Sequence, residues 1–545
     1  MIRLILPPAR LVAFVLIVAP ILGLLAAPGM DRGDNGAVRP TVFPAALVAW
    51  DHLTRDCLRN SLALAGAATA ASLLLGLSLA AIANRGVGRF SGVKAPLAAV
   101  PLAVPPFVAA WGWHLAVLWA AGRWPEWMGT DAGVFAAWLP MVAAYSVWGA
   151  SLVASRAGAD LRRIAPDWQS AGQVAGAGRA GLALSLTWSL LRPGITRSLA
   201  SVFTLTLIEP AAPWMLGLRR TLGYQVLAEA FHDDRSPRLA VLAALATLLI
   251  WGVRILLRRW GGDDVLLSMP EHPRPGLAGR FARLVSWTTA VGWALLGVLP
   301  LWFLARQATT EVALPGFAAV SLIRPLAVSI LLGAIVASCG LLLAGRPGGP
   351  PRRGWAARLL SACPTIALAV GALAIPALLE LITRRLRGGS APLEALIGPI
   401  ARAIDPLATP GLALSLVAVA ATFPAIAAIV GASRRPSPDD PVRLDAARLL
   451  GIPARDARRI IEGPGRRRIW LAGVLLSTAS PAAGLLLAPT TEARPLATTF
   501  VLLVDQPGQA ARIAEAGLTL TALTGLGLML AGRNGRRQMA ESPPA

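Results

Sequence analysis

The residue types that carry out most enzymatic chemistry are sparse in this chain and are not grouped. Its three cysteines, Cys57, Cys339 and Cys363, and its four histidines lie far apart, so their spacing fits neither a zinc site nor a disulfide framework. The only lysine, Lys94, stands in Gly-Val-Lys-Ala, whereas a phosphate-binding loop requires lysine between glycine and serine or threonine. We therefore expect no catalytic centre, no metal or cofactor, and no ATP hydrolysis of that type on this chain.

One carboxylate, Glu209, lies within a long apolar stretch. A charged side chain at membrane depth is costly and normally faces a partner, a cavity or a polar path. Pro210 and Pro213 follow it, and such prolines break a helix and free backbone carbonyls that can line a path. Two interpretations stay open. Either Glu209 lines a path that favours cations, or it lies near the outer headgroups and pairs with Arg219 or Arg220.

The elements that must position these residues are membrane spans. Of the 545 residues, 55% are hydrophobic and only 14% are charged, and the mean hydropathy is +0.62, which argues against a soluble globular protein. A helical span needs about 20 mostly apolar residues. Apolar runs of this kind predict twelve spans, at 11–28, 60–83, 95–120, 132–155, 193–217, 239–257, 284–305, 326–344, 359–379, 411–433, 469–490 and 516–532. The predicted fold is an all-α polytopic membrane protein.

Two features of this span assignment stay open. The first run is either a retained helix or a cleaved signal peptide, and we favour the helix because its removal would reverse the orientation of the remaining spans. The ends of the ninth and tenth spans are not fixed, because the irregular stretch 380–410 between them could hide a re-entrant segment.

The basic residues set the predicted orientation. The formal net charge is +23, and with the N-terminus inside, the cytoplasmic segments hold most of the 51 Lys and Arg. This topology leaves a few arginines outside, namely Arg219, Arg220, Arg384, Arg385 and Arg387. We therefore expect both termini in the cytoplasm, and we interpret the charge as an orientation signal rather than a sign of nucleic-acid binding.

Three features occur twice in the same order, which indicates an internal duplication. Each half has an apolar helix with proline seven residues before glycine, then a long cytoplasmic loop, then a helix with Pro-Ala-Ala. The pairs are Pro105 and Gly112 with Pro364 and Gly371, residues 166–176 with 441–451, and Glu209–Ala212 with Ser480–Ala483. We predict two halves of six helices. The divisions are 1–58 (first helix and external segment), 59–257 (first core), 258–322 (cytoplasmic linker, seventh helix and external segment), 323–532 (second core) and 533–545 (cytoplasmic tail).

The repeated loop resembles the cytoplasmic Glu-Ala-Ala-x-x-x-Gly-x9-Ile-x-Leu-Pro motif of ABC importer permease subunits. The matching residues of the second half are Asp445, Ala446, Ala447, Gly451, Ile461 and Pro464, with Asp for Glu and Gly463 for Leu. The corresponding residues of the first half are Ser170, Ala171, Gly172 and Gly176. This first copy is degenerate, because it lacks the acidic residue, one alanine and the final proline. The fused two-half layout is most similar to iron(III) transport permeases, with thiamine permeases a close relative.

The resemblance implies a permease that is not itself an enzyme, in the inner membrane of a bacterium. The two loops would dock onto two copies of a cytoplasmic ATPase subunit, whose ATP-driven closure moves the membrane helices. An external solute-binding protein would deliver the cargo, which is iron(III) or otherwise thiamine or another small solute. The path-lining residues would be Glu209, Pro210, Ser480 and Pro481, and the remaining partner is membrane lipid.

The main alternative is a secondary transporter of the twelve-helix facilitator type, which also consists of two fused halves. Its first cytoplasmic loop usually carries Asp among glycines and arginines, whereas residues 85–94 contain the glycines and basic residues without Asp. Facilitators also lack a long loop after the fourth helix of each half. An intramembrane enzyme would need grouped Asp, Glu or His, which Glu209 alone does not supply. The arginines around the second loop also have two interpretations. They either contact acidic ATPase residues or lipid headgroups, or they are ordinary positive-inside residues.

Overall fold

The computed structural model describes residues 30–32, 38–40, 51–83, 97–123, 132–176, 178, 181–231, 237–261, 280–310, 322–344, 470–476, 478 and 494–540. The predicted spans 11–28, 359–379 and 411–433 lie outside these ranges, as does most of 469–490. The following predicted site residues also lie outside them: Asp445, Ala446, Ala447, Gly451, Ile461, Pro464, Ser480 and Pro481.

The described chain is built almost entirely from helices. These are α1 (His52–Ala83), α2 (Pro106–Arg123), α3 (Ala132–Arg163), α4 (Pro166–Val174), α5 (Trp188–Ile208), α6 (Ala211–Met215), α7 (Leu222–Phe231), α8 (Pro237–Gly261), α9 (Arg280–Thr310), α10 (Ile323–Ala344), α11 (Leu496–Val504) and α12 (Ala510–Ala540). A 3₁₀ turn covers Val100–Ala103 and a π turn covers Leu182–Thr187. Two short antiparallel strands, β1 (Met30–Arg32) and β2 (Val38–Pro40), pair with Met30 opposite Pro40.

Several helices have the dimensions of membrane spans. Within the described residues, four are long and apolar enough to cross a bilayer: His52–Ala81, Ala137–Arg163, Leu284–Thr309 and Ala510–Leu530. They overlap the predicted spans 60–83, 132–155, 284–305 and 516–532. A bent pair would make a fifth. The helical character predicted from the apolar runs is thus confirmed for the described residues, and four of the predicted spans have helices with the length and composition to cross a membrane.

The predicted span 95–120 is not one straight helix. Its two segments, Leu97–Ala103 and Pro106–Arg123, meet at 95°. Val104 at the corner is extended, with ψ of 116°. The cause is local, because a residue before proline is driven out of the helical region and Pro105 and Pro106 have no N–H with which to continue the helix.

The most extensive helix packing among the described residues joins α1 to α3, and it depends on small side chains. A Cβ added to Gly76 would lie 2.6 Å from the Val153 Cβ on α3, and one added to Gly149 would clash with the Ser72 hydroxyl on α1. Glycine permits this close approach, which is how helices pack where water supplies no hydrophobic drive. Helix α9 contacts both α2 and α12, so it joins segments of the two predicted cores.

Two short helices, α7 and α11, are attached to the bundle by the same interaction. The Oγ atom of Ser61 on α1 accepts a hydrogen bond of 2.8 Å from the backbone N–H of Leu222. The Oγ atom of Ser329 on α10 accepts one of 2.6 Å from the backbone N–H of Leu496. The first N–H groups of a helix have no partner within it. In each case a serine from a neighbouring helix supplies one.

Candidate functional site

Helix α4 contains the first-half motif residues, and it is short and largely exposed. Pro166 occupies its first turn, where the missing N–H has no consequence, and Asp167 lies at the positive end of the helix dipole. Ser170 and Ala171 are exposed, and Gly172 is half-buried. Apolar side chains also protrude, since Trp168 is 36% and Val174 90% exposed. An exposed apolar surface of this kind marks a place of contact with another protein or with lipid.

Two motif glycines, Gly172 and Gly176, lie in this loop. Gly176 follows the end of α4 and has φ of +83°, a conformation that glycine adopts without strain. A Cβ on Gly172 would displace the end of the flexible Leu182 side chain in the π turn. Gly176 is therefore the motif glycine whose backbone conformation directs the chain from α4 towards α5.

A buried ion cluster lies at the base of the loop, and sequence reasoning missed it. The Asp160 side chain is only 1% exposed, 3.0 Å from the Arg156 Nε and 3.1 Å from the Arg163 Nη1. Gly194 of α5 packs directly against the cluster, and an added Cβ would clash with the Asp160 carboxylate. The sequence does carry a signal for the ion pairs, because Asp160 follows Arg156 by four residues and precedes Arg163 by three. The burial of Asp160 depends on α5 and cannot be inferred from this spacing.

Glu209 lies at the opposite end of α5, where the helix breaks as its prolines predicted. Its backbone is extended, with ψ of 115°, and α6 begins two residues later. The carboxylate Oε1 accepts a hydrogen bond of 2.9 Å from the Ala211 N–H. The Tyr145 phenol of α3 is near enough to interact with the carboxylate, although it forms no hydrogen bond of ordinary geometry.

The arginine pairing considered for Glu209 is not found. Arg220 instead forms an ion pair of 2.9 Å with Asp56 of α1. Arg219 is exposed, and among the residues that the structure describes neither arginine pairs with Glu209. The half-buried carboxylate is thus held by a backbone N–H and lies beside a phenol, with no described counter-ion.

The predicted site residues of the first half form two separate sites. Ser170, Ala171, Gly172 and Gly176 lie before α5, and Glu209 and Pro210 lie after it. The 21-residue helix between them spans about 31 Å at 1.5 Å per residue. Helix α5 is therefore the physical link between the loop and the helix break. Across the described part of the chain, no three His, Cys, Asp or Glu side chains are grouped to hold a metal ion.

Comparison of the chain with protein-family models, with curated proteins and with solved structures found no match.

Proposed function

We propose that this chain is the permease subunit of an ABC importer, driven by a separate ATPase and supplied by an external solute-binding protein. The observation that carries the proposal is helix α4. It combines a motif-like sequence with an exposed apolar surface, and it lies between α3 and α5, which pack directly against each other where Gly194 of α5 meets the buried ion cluster of α3. A motor protein that moved α4 would therefore also move α3 and α5.

The path of this movement follows from the packing. Asp160 and its two arginines fix the last turn of α3, and Gly194 places α5 directly against them. A displacement of the loop is then transmitted along α5 to the break at Glu209. This geometry supports a mechanism in which closure of the ATPase on the cytoplasmic side alters the conformation of the helix break at Glu209 on the external side. Glu209 and Pro210, with Ser480 and Pro481 of the second half, would line the path there.

Two serine-capped short helices support the proposed duplication into two six-helix halves. Ser61 with Leu222 and Ser329 with Leu496 occupy corresponding places in the proposed cores 59–257 and 323–532. An equivalent of α4 is then expected at residues 441–449, within the loop that would dock a second ATPase subunit. The proposed chain has twelve spans in the inner membrane, with both termini in the cytoplasm.

The cargo proposed first is iron(III), with thiamine or another small solute next. A carboxylate without a described counter-ion attracts a cation, and Glu209 has this property. The external binding protein would supply most of the selectivity, and Glu209 would favour positively charged cargo within the membrane.

The test is reconstitution in lipid vesicles with candidate ATPase and binding-protein partners, using ferric citrate and thiamine as probes. We expect cargo-stimulated ATP hydrolysis and uptake that requires all three components. Gly451→Pro should uncouple hydrolysis from uptake while leaving membrane insertion intact, because proline would prevent the turn after the second docking helix. Uptake driven by an ion gradient without the ATPase would instead establish the facilitator alternative.

A further inference from the structure

Two side-chain contacts connect helices of the proposed first core to α11 of the second. The indole Nε1 of Trp214, on α6, donates a hydrogen bond of 2.9 Å to the Asp505 Oδ2 just after α11. The rings of Phe107, on α2, and Phe500, on α11, meet edge to face with centroids 5.7 Å apart. The polar contact is exposed to solvent, whereas Phe107 is 1% and Phe500 0% exposed. A polar contact at the surface thus accompanies an apolar one in the interior.

Trp214 is held in place from its own half. Its ring stacks on Tyr224 of α7, with centroids 5.5 Å apart and 22° between the ring planes. Helix α7 is in turn attached to α1 through Ser61. The indole N–H therefore projects from a fixed support, and α6 carries it immediately after the helix break at Glu209 and Pro210.

Asp505 occupies a position that does not favour an acid. It is the C-terminal cap of α11, where the helix dipole is negative, so a carboxylate there is electrostatically unfavourable. The helix gains nothing locally from this charge. The contact that the carboxylate does make is the charge-assisted hydrogen bond from Trp214 in the other proposed half.

We propose that Trp214 and Asp505 form a latch that holds the two cores together at the outer end of the path and parts when the path opens to the outside. The inference rests on the proposed function and on its orientation, in which α6 and the end of α11 face outward. The Phe107–Phe500 contact is the apolar seal next to the latch. The structure then corresponds to a state that is closed on the external side.

The chemistry of the latch suits repeated opening. A single solvent-exposed hydrogen bond exchanges with water when the halves separate, so opening leaves neither partner unsatisfied. The phenylalanine pair excludes water and solute while it is closed. Movement of α5 would reach Trp214 directly, because only Glu209 and Pro210 separate α5 from α6.

The experiment is reversible cross-linking in a chain whose three cysteines are replaced by alanine. In the variant with Trp214→Cys and Asp505→Cys, a short bifunctional methanethiosulfonate reagent links the two introduced thiols through disulfides. A reductant then removes the link. Trp214→Cys with Tyr224→Cys is the matched control, because it links α6 to α7 within one core. Linking yield is measured on the chain in lipid, and uptake of ferric citrate or thiamine is measured with the partners present.

We expect the cross-core link to form in high yield, to reduce uptake at least tenfold, and to restore uptake on reduction. The link within one core should leave uptake within about twofold of the unlinked chain. Normal uptake by the cross-core-linked chain overturns the latch alone. So does a linking yield no higher than for Trp214→Cys with Ser78→Cys, since Ser78 lies about 25 Å along α1 from Ser61 at 1.5 Å per residue. Absence of ATPase-dependent uptake by the unlinked chain refutes the proposed function, and the gating role with it.

Discussion

The side chain of Ser61 accepts a hydrogen bond of 2.8 Å from the backbone N–H of Leu222, 161 positions further along the chain. The bond caps α7 from a different helix, and its counterpart between Ser329 and Leu496 does the same for α11. Neither α7 nor α11 is predicted from the sequence, because both are too short to stand out among the apolar runs. Each of these two serines therefore helps to position a short helix that is distant from it in the sequence.

Replacing either serine with alanine should destabilise the protein to a similar degree. Ser61→Ala and Ser329→Ala each leave a buried backbone N–H without an acceptor, at a cost of about 1–3 kcal/mol. The measurement is the apparent unfolding temperature in detergent. Ser78→Ala is the control, because the Ser78 hydroxyl donates to the Leu74 carbonyl on the exposed face of the same helix. If Ser61→Ala and Ser78→Ala lower the temperature equally, the capping contact has no stabilising role.

Removing the charge of Asp160 should have a larger effect. Asp160→Asn keeps the shape but removes the buried negative charge that Arg156 and Arg163 share, and breaking a buried ion pair typically costs about 3–5 kcal/mol. The matched control is Asp56→Asn, because Asp56 pairs with the exposed Arg220 and such surface pairs contribute about 0–1 kcal/mol. Chemical denaturation in detergent compares the two. Equal losses would show that burial of the Asp160 cluster contributes nothing.

The parts of the fold that could be predicted are those with local causes. The helix break at Glu209 follows from Pro210, which lacks the N–H that the next turn requires. The apolar runs predicted the four described helices that are long and apolar enough to cross a bilayer, because membrane insertion depends on the composition of a single segment. The bend at Val104 also has a local cause, in Pro105 and Pro106. It was not predicted, because the span 95–120 was assigned only from the absence of charged residues.

The parts that could not be predicted depend on a second element. Asp160 follows the predicted span 132–155, yet α3 continues to Arg163 and α5 packs against the carboxylate. One of the two interpretations of Glu209 paired it with Arg219 or Arg220, whereas Arg220 pairs with Asp56 of α1. The partners of Asp160 lie on its own helix, but its burial depends on the packing of α5. The partner of Arg220 is determined by the packing of α1.

The turn after α4 should be sensitive to a single methyl group. Gly176 has φ of +83°, and an alanine there is strained by about 1–2 kcal/mol, which the loop relieves by reorienting α4. We expect Gly176→Ala to weaken association with the ATPase subunit severalfold, measured by co-purification at increasing salt. Gly178→Ala is the control, since Gly178 is in the same loop with open space around it and no positive φ. Equal binding by the two variants would contradict a docking role for the α4 turn.

Neutralising Glu209 should separate its charge from its structural role. In Glu209→Gln the amide oxygen still accepts the hydrogen bond from the Ala211 N–H, so the helix break is retained and the unfolding temperature should not change. We expect uptake of a cationic cargo to fall about tenfold or more, because loss of one transition-path interaction of about 1.4 kcal/mol changes a rate tenfold. Glu515→Gln, at an exposed acid paired with Arg512, provides the charge-matched control. Tyr145→Phe removes the neighbouring hydroxyl and leaves the charge, so its effect on uptake should be smaller. Uptake by Glu209→Gln at the rate of Glu515→Gln would leave Glu209 with the single role of ending α5.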